Sequence, residues 1–379
     1  MASLKIKLLV VTDTYFPLRD GVLKCVEEFV ERSKEEFDIT LLVPKLSRKK
    51  FKGMKTIFFN VSKRLKASMY PVVSLTWSNL RTIKKAVKES ELVFSHGPAT
   101  VGFFISAYYA LRFGKKSVFY IHNTGWEFLE KYFGLGRFTS KVIKRFFVWI
   151  YNRWDLLLVP YREVKEELEE AGVKTEIEVA RLGVDIERFS PSKDKRASKS
   201  RLNLPHKIII GYVGRICKEK NTLVLLEAFK KLNQKKFFLL MVGDGTEEIV
   251  KEFKENKNCL VTGFVGNVED YMQAMDIFVM PSLTETTSLA TLEAMSSGLP
   301  VIATKVGFIK NYVVKSYNGI FFPRNSASLL AMKINRLAGD RNLREKLGQN
   351  ARKTVAYSFS WERSISKMKR LMHKFYHGG

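Results

Sequence analysis

Cysteine is scarce in this sequence: Cys25, Cys217 and Cys259 are scattered through 379 residues. Their odd number and wide spacing offer neither a disulfide framework nor a C-x-x-C metal site, and suit a reducing compartment. Long apolar runs are missing too. No stretch approaches the roughly twenty residues that span a bilayer as a helix. The opening segment alternates charge with a short apolar run, the pattern of a buried strand rather than of a signal peptide. No low-complexity tract, internal repeat or D-x-D occurs, and His, Asp and Cys are nowhere grouped at metal-ligand spacing. The expectation is a chain that needs no metal and no other cofactor, cytoplasmic and either soluble or peripheral on a membrane.

The most informative shortage is of acid. Only 38 Asp and Glu stand against 65 Lys and Arg, a net charge of +27. Between residues 39 and 88 there are thirteen Lys or Arg and no Asp or Glu, and residues 131–154 hold six more with no acid among many aromatics. A solvated face accounts for a short basic run. A long acid-free stretch beside a second one rich in aromatics points to a polyanionic partner, either an anionic membrane surface or nucleic acid.

What is present suits two α/β domains, since 46% of the residues are apolar and the length is about that of two ordinary domains. The chain is organised around residues 281–304, PSLTETTSLATLEAMSSGLPVIAT. The apolar run 277–280 reads as a strand, Glu285 lies in the polar loop after it, and Leu289, Leu292 and Met295 repeat at helical spacing with Glu293 about two turns in. Gly298 ends that helix, Pro300 prevents its return, and 301–303 starts another strand. Such a unit puts its loop at the carboxyl end of a parallel strand, where open α/β sheets bind ligands. The helix start offers free N–H groups to an anion, and a carboxylate at each end of the pocket suits the hydroxyls of a sugar or ribose. Upstream, the buried strand 207–213 is followed by Gly214, Arg215 and Lys220 in one loop, two fixed cations suited to a diphosphate.

Glu285 and Glu293, eight positions apart and followed by EAM-x-x-G-x-PVIAT and Gly307, resemble the E-x7-E signature of the retaining glycosyltransferases of family 4. The string from Gly214 to Asn221 is similar to that family's GR....KN diphosphate clamp. Thr262-Gly263-Phe264 resembles the segment whose backbone meets the nucleotide base, and residues 178–191 its crossing segment. Residues 119–129, FYIHNTGWEFL, resemble the Y.HT..E.YL segment of diacylglycerol glucosyltransferases, which makes His122 the match of an active-site histidine that hydrogen-bonds the donor sugar. His96, at another strand end, is read as a wall of the cleft. The loop 12–22 is similar to the family's glycine-rich N-terminal loop, with Gly21 present and Asp20 where a second glycine would stand.

The resemblance implies the GT-B fold: two Rossmann-like α/β domains facing a cleft, with a C-terminal helix crossing back to the first. The expected boundaries are 1–188 for an acceptor-binding, membrane-facing domain, 189–358 for a nucleotide-sugar domain and 359–379 for the helix. It further implies a retaining hexosyltransferase using a nucleotide-diphospho-sugar. Its catalytic residues would be His122, Arg215, Lys220 and Glu285. Gly21, Gly214, Gly263, Phe264, Thr286, Thr287, Ser288, Leu289 and Glu293 would join Arg215, Lys220 and Glu285 around the donor. Thr286-Thr-Ser stands where relatives often carry Gly-Phe-Gly. The charge pattern and the His122 segment together point to a lipid acceptor at the inner face of the cell membrane. Lys63, Arg64, Lys66, Trp77, Trp126, Lys141, Lys144 and Arg145 would form the membrane or acceptor face, with Leu65 and Met69 in its apolar part. Extension of a soluble or polyprenyl-linked glycan is the second reading. Nucleic-acid binding on an inactive scaffold rests on charge alone, so no nucleic-acid partner is expected.

Overall fold

The computed structural model describes residues 5–17, 20–47, 51, 53–67, 70–97, 101–126 and 137–378, with the backbone alone at 63–67, 70–72, 101 and 137–140. The chain divides into two compact units, Met1–Arg181 with Ser364–Gly379, and Leu182–Arg363.

In the first unit, strands β1 (Ile6–Thr12), β2 (Phe37–Pro44), β3 (Lys55–Phe59), β6 (Leu92–His96), β7 (Lys116–Tyr120), β8 (Leu156–Val159) and β9 (Glu176–Val179) form one sheet ordered β3-β2-β1-β6-β7-β8-β9. Every pairing is parallel. The central strands are apolar almost throughout because helices cover both faces of such a sheet. Those helices include α1 (Gly21–Ser33), α2 (Trp77–Glu89), α3 (Val101–Arg112), α4 (Arg137–Tyr151) and α5 (Arg162–Glu170). Helix α1 buries Val22, Leu23, Val26, Phe29 and Val30, the stripe of a helix lying on a sheet. One core cluster joins Leu9 and Val11 of β1 to Ile83, Ala86 and Val87 of α2.

The basic segment after residue 60 folds as a two-stranded antiparallel ribbon, β4 (Val61–Ala67) with β5 (Tyr70–Val73). The side chains of Lys63, Arg64, Leu65 and Lys66, and Met69 altogether, lie outside the described residues, as do residues 127–129 of the His122 segment.

The second unit repeats the plan with β10 (Ile208–Val213), β11 (Phe237–Val242), β12 (Cys259–Val261), β13 (Ile277–Met280), β14 (Val301–Ala303) and β15 (Gly319–Phe321), ordered β12-β11-β10-β13-β14-β15 and again parallel. Helices α6 (Lys195–Arg201), α7 (Thr222–Lys230), α8 (Glu247–Lys254), α9 (Val268–Ala274), α10 (Leu289–Ser296), α11 (Ala327–Gly339) and α12 (Arg341–Ser358) connect and cover the strands. Chain order reverses between β10 and β13, so the crevice outside their carboxyl ends is where this topology binds ligands.

The last helix, α13 (Trp361–His377), begins in the second unit and belongs to the first from Ser364 onward. There Lys369 and His373 meet Glu36, the His373 ring stacks on Phe37 with centroids 4.9 Å apart, and Lys116 Nζ donates to the Phe375 carbonyl at 3.0 Å. Among the described residues, no helix is long and apolar enough to cross a membrane.

Candidate active site

Two loops meet at the β10/β13 switch point. The first leaves β10 through Gly214, whose φ of 142° is open to glycine, and carries Arg215, Glu219 and Lys220. The Tyr212 hydroxyl donates to the Arg215 carbonyl at 2.7 Å, and burial pushes that phenol well above its usual range, so it stays a donor. The second loop leaves β13 and carries Ser282 and Glu285. The Leu283 N–H donates to the Glu219 carbonyl at 3.0 Å, which ties the loops together.

Glu285 Oε1 accepts from Lys220 Nζ at 2.8 Å and from Ser282 Oγ at 2.7 Å. The two charged side chains are only 16% and 8% exposed, so the pair is strongly held. Arg215 is more open, with its guanidinium 3.8 Å from Glu219. A cation and a carboxylate locked together at a switch point form a polar clamp: a ligand with both anionic and hydroxyl groups can exchange for each partner.

Residues 286–288 run on with Thr286 O accepting from Phe308 N at 3.2 Å and Thr287 O accepting from the Tyr312 hydroxyl. Ser288 has φ of +50° and caps α10 without a side-chain bond to its amides, its Oγ pairing instead with Thr291 Oγ1 at 2.8 Å. The helix therefore starts at Leu289 with its dipole end facing the loop. Glu293 lies one turn into α10, not two, because the left-handed Ser288 turns the chain into the helix only there. Thr262, Gly263 and Phe264 follow β12, next to the end of β11 through the Gly243–Gly263 bridge, and the Phe264 ring is exposed.

In the first unit Gly21 opens α1, but Asp20 Oδ1 accepts from Leu23 N at 2.9 Å. A carboxylate already caps this helix and occupies the place of an anion. His122 follows β7 and is buried, its Nε2 3.4 Å from Nδ1 of His96 at the end of β6. Burial holds His122 down to about 3, and burial with the His122 ring holds His96 well below its usual value. Both imidazoles are therefore neutral at physiological pH. Because an unfolded histidine titrates near 6.5, the unfolded chain takes up protons below that pH that the folded chain refuses. Folding stability should be complete above about pH 6.5 and fall below it by about 1.4 kcal/mol per pH unit for each histidine. Denaturant titrations between pH 7 and 5 in a chelating buffer would check this, with His96→Leu expected to flatten the slope.

The residues expected on a membrane face separate. Trp77 is 79% exposed at the start of α2, and Lys141 and Arg145 are exposed on α4. Trp126 is buried, its indole donating to Glu167 Oε1 at 2.9 Å, so it belongs to the interior and not to that face. Lys144 is drawn over the Trp126 ring, 5.3 Å from its centroid. The sequence did not single out Ser282, Tyr212 or Tyr312. Ser282 and Tyr212 act within their own loops, on the Glu285 carboxylate and the Arg215 carbonyl, and Tyr312 reaches the Thr287 carbonyl from a later segment of the chain.

A parallel sheet whose switch point presents a Lys–Glu pair and a helix start brings together groups suited to an anionic, hydroxylated ligand. Comparison with known proteins places it further. Residues 19–188 match the model for glycosyltransferase family 4 and residues 194–354 that for glycosyl transferases group 1. The chain belongs to the glycosyltransferases of family 4. It is 32% identical to the sulfoquinovosyl transferase SQD2 of Arabidopsis thaliana over 57% of this chain and 44% of that protein. It is 29% identical to the UDP-Gal:alpha-D-GlcNAc-diphosphoundecaprenol alpha-1,3-galactosyltransferase of Escherichia coli over 52% of this chain and 53% of that one. The chain thus matches about half the length of these relatives. In fold it is similar to HepE of Anabaena, solved with UDP, at a TM-score of 0.79 over 97% of this chain and 100% of that one, with 17% identity.

Proposed function

We propose that this chain is a retaining hexosyltransferase that moves a sugar from a UDP-type nucleotide-diphospho-sugar to a lipid acceptor at an anionic membrane surface, without a metal. The observation that carries the donor reading is the Lys220–Glu285 pair at the switch point of the second unit. On donor binding, Lys220 and Arg215 turn to the diphosphate, where the α10 N-terminus adds its dipole. Glu285, released from part of its pairing, accepts from sugar hydroxyls, and Glu293 from the ribose. The bond from the anomeric carbon to the diphosphate oxygen breaks as the acceptor oxygen bonds to the same face, and the acceptor's proton passes to the leaving diphosphate. The negative charge that develops there is met by fixed protein cations, which is the reason to expect no metal. A neutral His122 would position the sugar without adding charge. Two relatives support the donor class: HepE was solved with UDP, and the Escherichia coli enzyme is named for UDP-Gal.

The acceptor reading rests on α4. Val142, Phe146 and Trp149, four and then three residues apart, are exposed as one apolar stripe, with Lys141 and Arg145 alongside and the Arg153 guanidinium 3.4 Å over the Trp149 ring. An aromatic stripe edged by cations suits the interface of an anionic bilayer. The test supplies labelled UDP-sugars in EDTA to the protein with anionic liposomes of total lipid and counts label in the organic phase. Label in lipid that disappears with Glu285→Ala and falls with Phe146→Ser/Trp149→Ser supports the proposal. Label found only when a polyprenyl-diphosphate-linked sugar is supplied would transfer it to the acceptor class of the Escherichia coli relative. No label from any UDP-sugar would overturn it.

A further inference from the structure

Away from the donor loops, the fold of the first unit gathers a thiol and two imidazoles that no local spacing in the sequence announces. Cys25 comes from α1, His96 from the end of β6 and His122 from just beyond β7. All three are buried, and one ligand atom from each lies within 4.8 Å of the other two. The structure assigns to Cys25, His96 and His122 a three-coordinate site for a soft monovalent d10 ion of the copper(I) class.

Two points argue for it. The His96 Nδ1 to His122 Nε2 separation of 3.4 Å is long beside the roughly 2.9–3.0 Å usual for an N–H hydrogen bond. It is also close to the span of two nitrogens each about 2.0–2.1 Å from one metal. Finally, thiolate and imidazole are soft to intermediate ligands that prefer copper(I) or zinc to harder ions.

Charge separates those two. One thiolate and two neutral imidazoles make an uncharged complex with a monovalent ion and leave a unit positive charge with a divalent one. The surroundings are aromatic: Phe94, Tyr120 and Phe29 lie 4.1, 5.7 and 6.3 Å from the His96 ring. The acid on α1 that acts on Cys25, Glu28, is already engaged by Lys24 and Arg32. Burying an uncompensated charge in such a setting is costly, so the neutral complex is favoured. Binding is a ligand exchange without oxidation or reduction: copper(I) leaves its carrier, the Cys25 Sγ–H proton passes to solvent, and the S–Cu bond forms. The consequence for transfer rests on the function proposed above. If His122 positions the sugar, copper(I) withdraws it and inhibits the enzyme.

The full chain with Cys217→Ser and Cys259→Ser keeps Cys25 as its one thiol. Titrated without oxygen against the copper(I)–bicinchoninate complex, it is expected to remove one copper per chain and to melt at a higher temperature when loaded. Adding Cys25→Ser, or in parallel His96→Leu, should weaken uptake more than about 100-fold, since even outer-shell changes cost about 10–100-fold. Cys25→Ala serves as second variant should the serine lower the metal-free melting temperature. Uptake by the background chain that disappears with either Cys25 variant supports the site, even if no sugar is ever transferred. In an active preparation copper(I) should slow the background chain and leave the rate of the Cys25 variant at its own metal-free value. Copper left with the chelator by the background chain, or taken up equally without Cys25, would overturn the site and leave the transferase reading untouched.

Discussion

Lys220→Ala is expected to lower kcat/KM for sugar transfer by about 100- to 1000-fold, the cost of deleting one fixed group that meets developing charge. Two effects coincide at this residue. The ammonium would meet the leaving diphosphate, and in the unliganded protein it neutralises Glu285 at 2.8 Å. Removing it leaves Glu285 with Ser282 as a hydrogen-bond donor in a setting where its side chain is 8% exposed. Breaking a buried pair from one side costs about 3–5 kcal/mol, and the partial exposure of Lys220 puts this one at the lower end. Lys220→Ala should therefore lower both activity and melting temperature. The double variant Lys220→Ala/Glu285→Ala should regain much of the melting temperature and none of the activity, because two partners of one pair are not additive. Arg215→Ala, whose guanidinium is 41% exposed and 3.8 Å from its acid, should lose activity with little change in stability. Steady-state kinetics with melting curves check all of this. A Lys220→Ala enzyme within three-fold of the parent would remove the lysine from the diphosphate.

Gly307→Ala is expected to be nearly as damaging although it changes no functional group. Gly307 has φ of +50°, and a Cβ there would stand 1.8 Å from the Glu285 carbonyl oxygen and 3.1 Å from that of Thr286. The left-handed conformation alone costs an alanine about 1–2 kcal/mol. The collision is with backbone, so relief requires the Glu285 loop itself to move. Displacing a positioned group by about 1 Å costs on the order of 100-fold in rate. The control is Gly339→Ala at the end of α11, where a Cβ meets nothing within 4 Å. Relief of glycine's entropy there should stabilise by about 0.5–1 kcal/mol and leave transfer unaltered. If Gly307→Ala retained full activity, the loop would not be fixed by this contact.

Much of the second unit was legible in the sequence because a covered parallel sheet demands unbroken apolar strands. Residues 208–213 and 277–280 stand as strands where their runs end, and Gly298 closes α10 with φ of +70°. The loop residues Gly214, Arg215, Lys220 and Glu285 follow those strands, so the strand positions alone bring them to one crevice. The basic segment was harder to read. β3 and the β4–β5 ribbon show no clean alternation of polar and apolar residues against their background of lysines, and β3 finds its place only by pairing with β2. Trp126 looked like an interface aromatic beside basic residues, but its fate is decided by Glu167, forty-one positions away. Cys25 carried no local signal at all. It meets His96 and His122 only because β6 and β7 end beside α1.

The donor site is tested most directly by a calorimetric titration of UDP-hexose into the protein in EDTA. Saturable binding at one site is expected, unaffected by adding magnesium and lost or greatly weakened by Lys220→Ala and by Glu285→Ala. Binding that appears only with magnesium, or that both variants retain at full strength, would contradict a donor site built from the Lys220–Glu285 clamp.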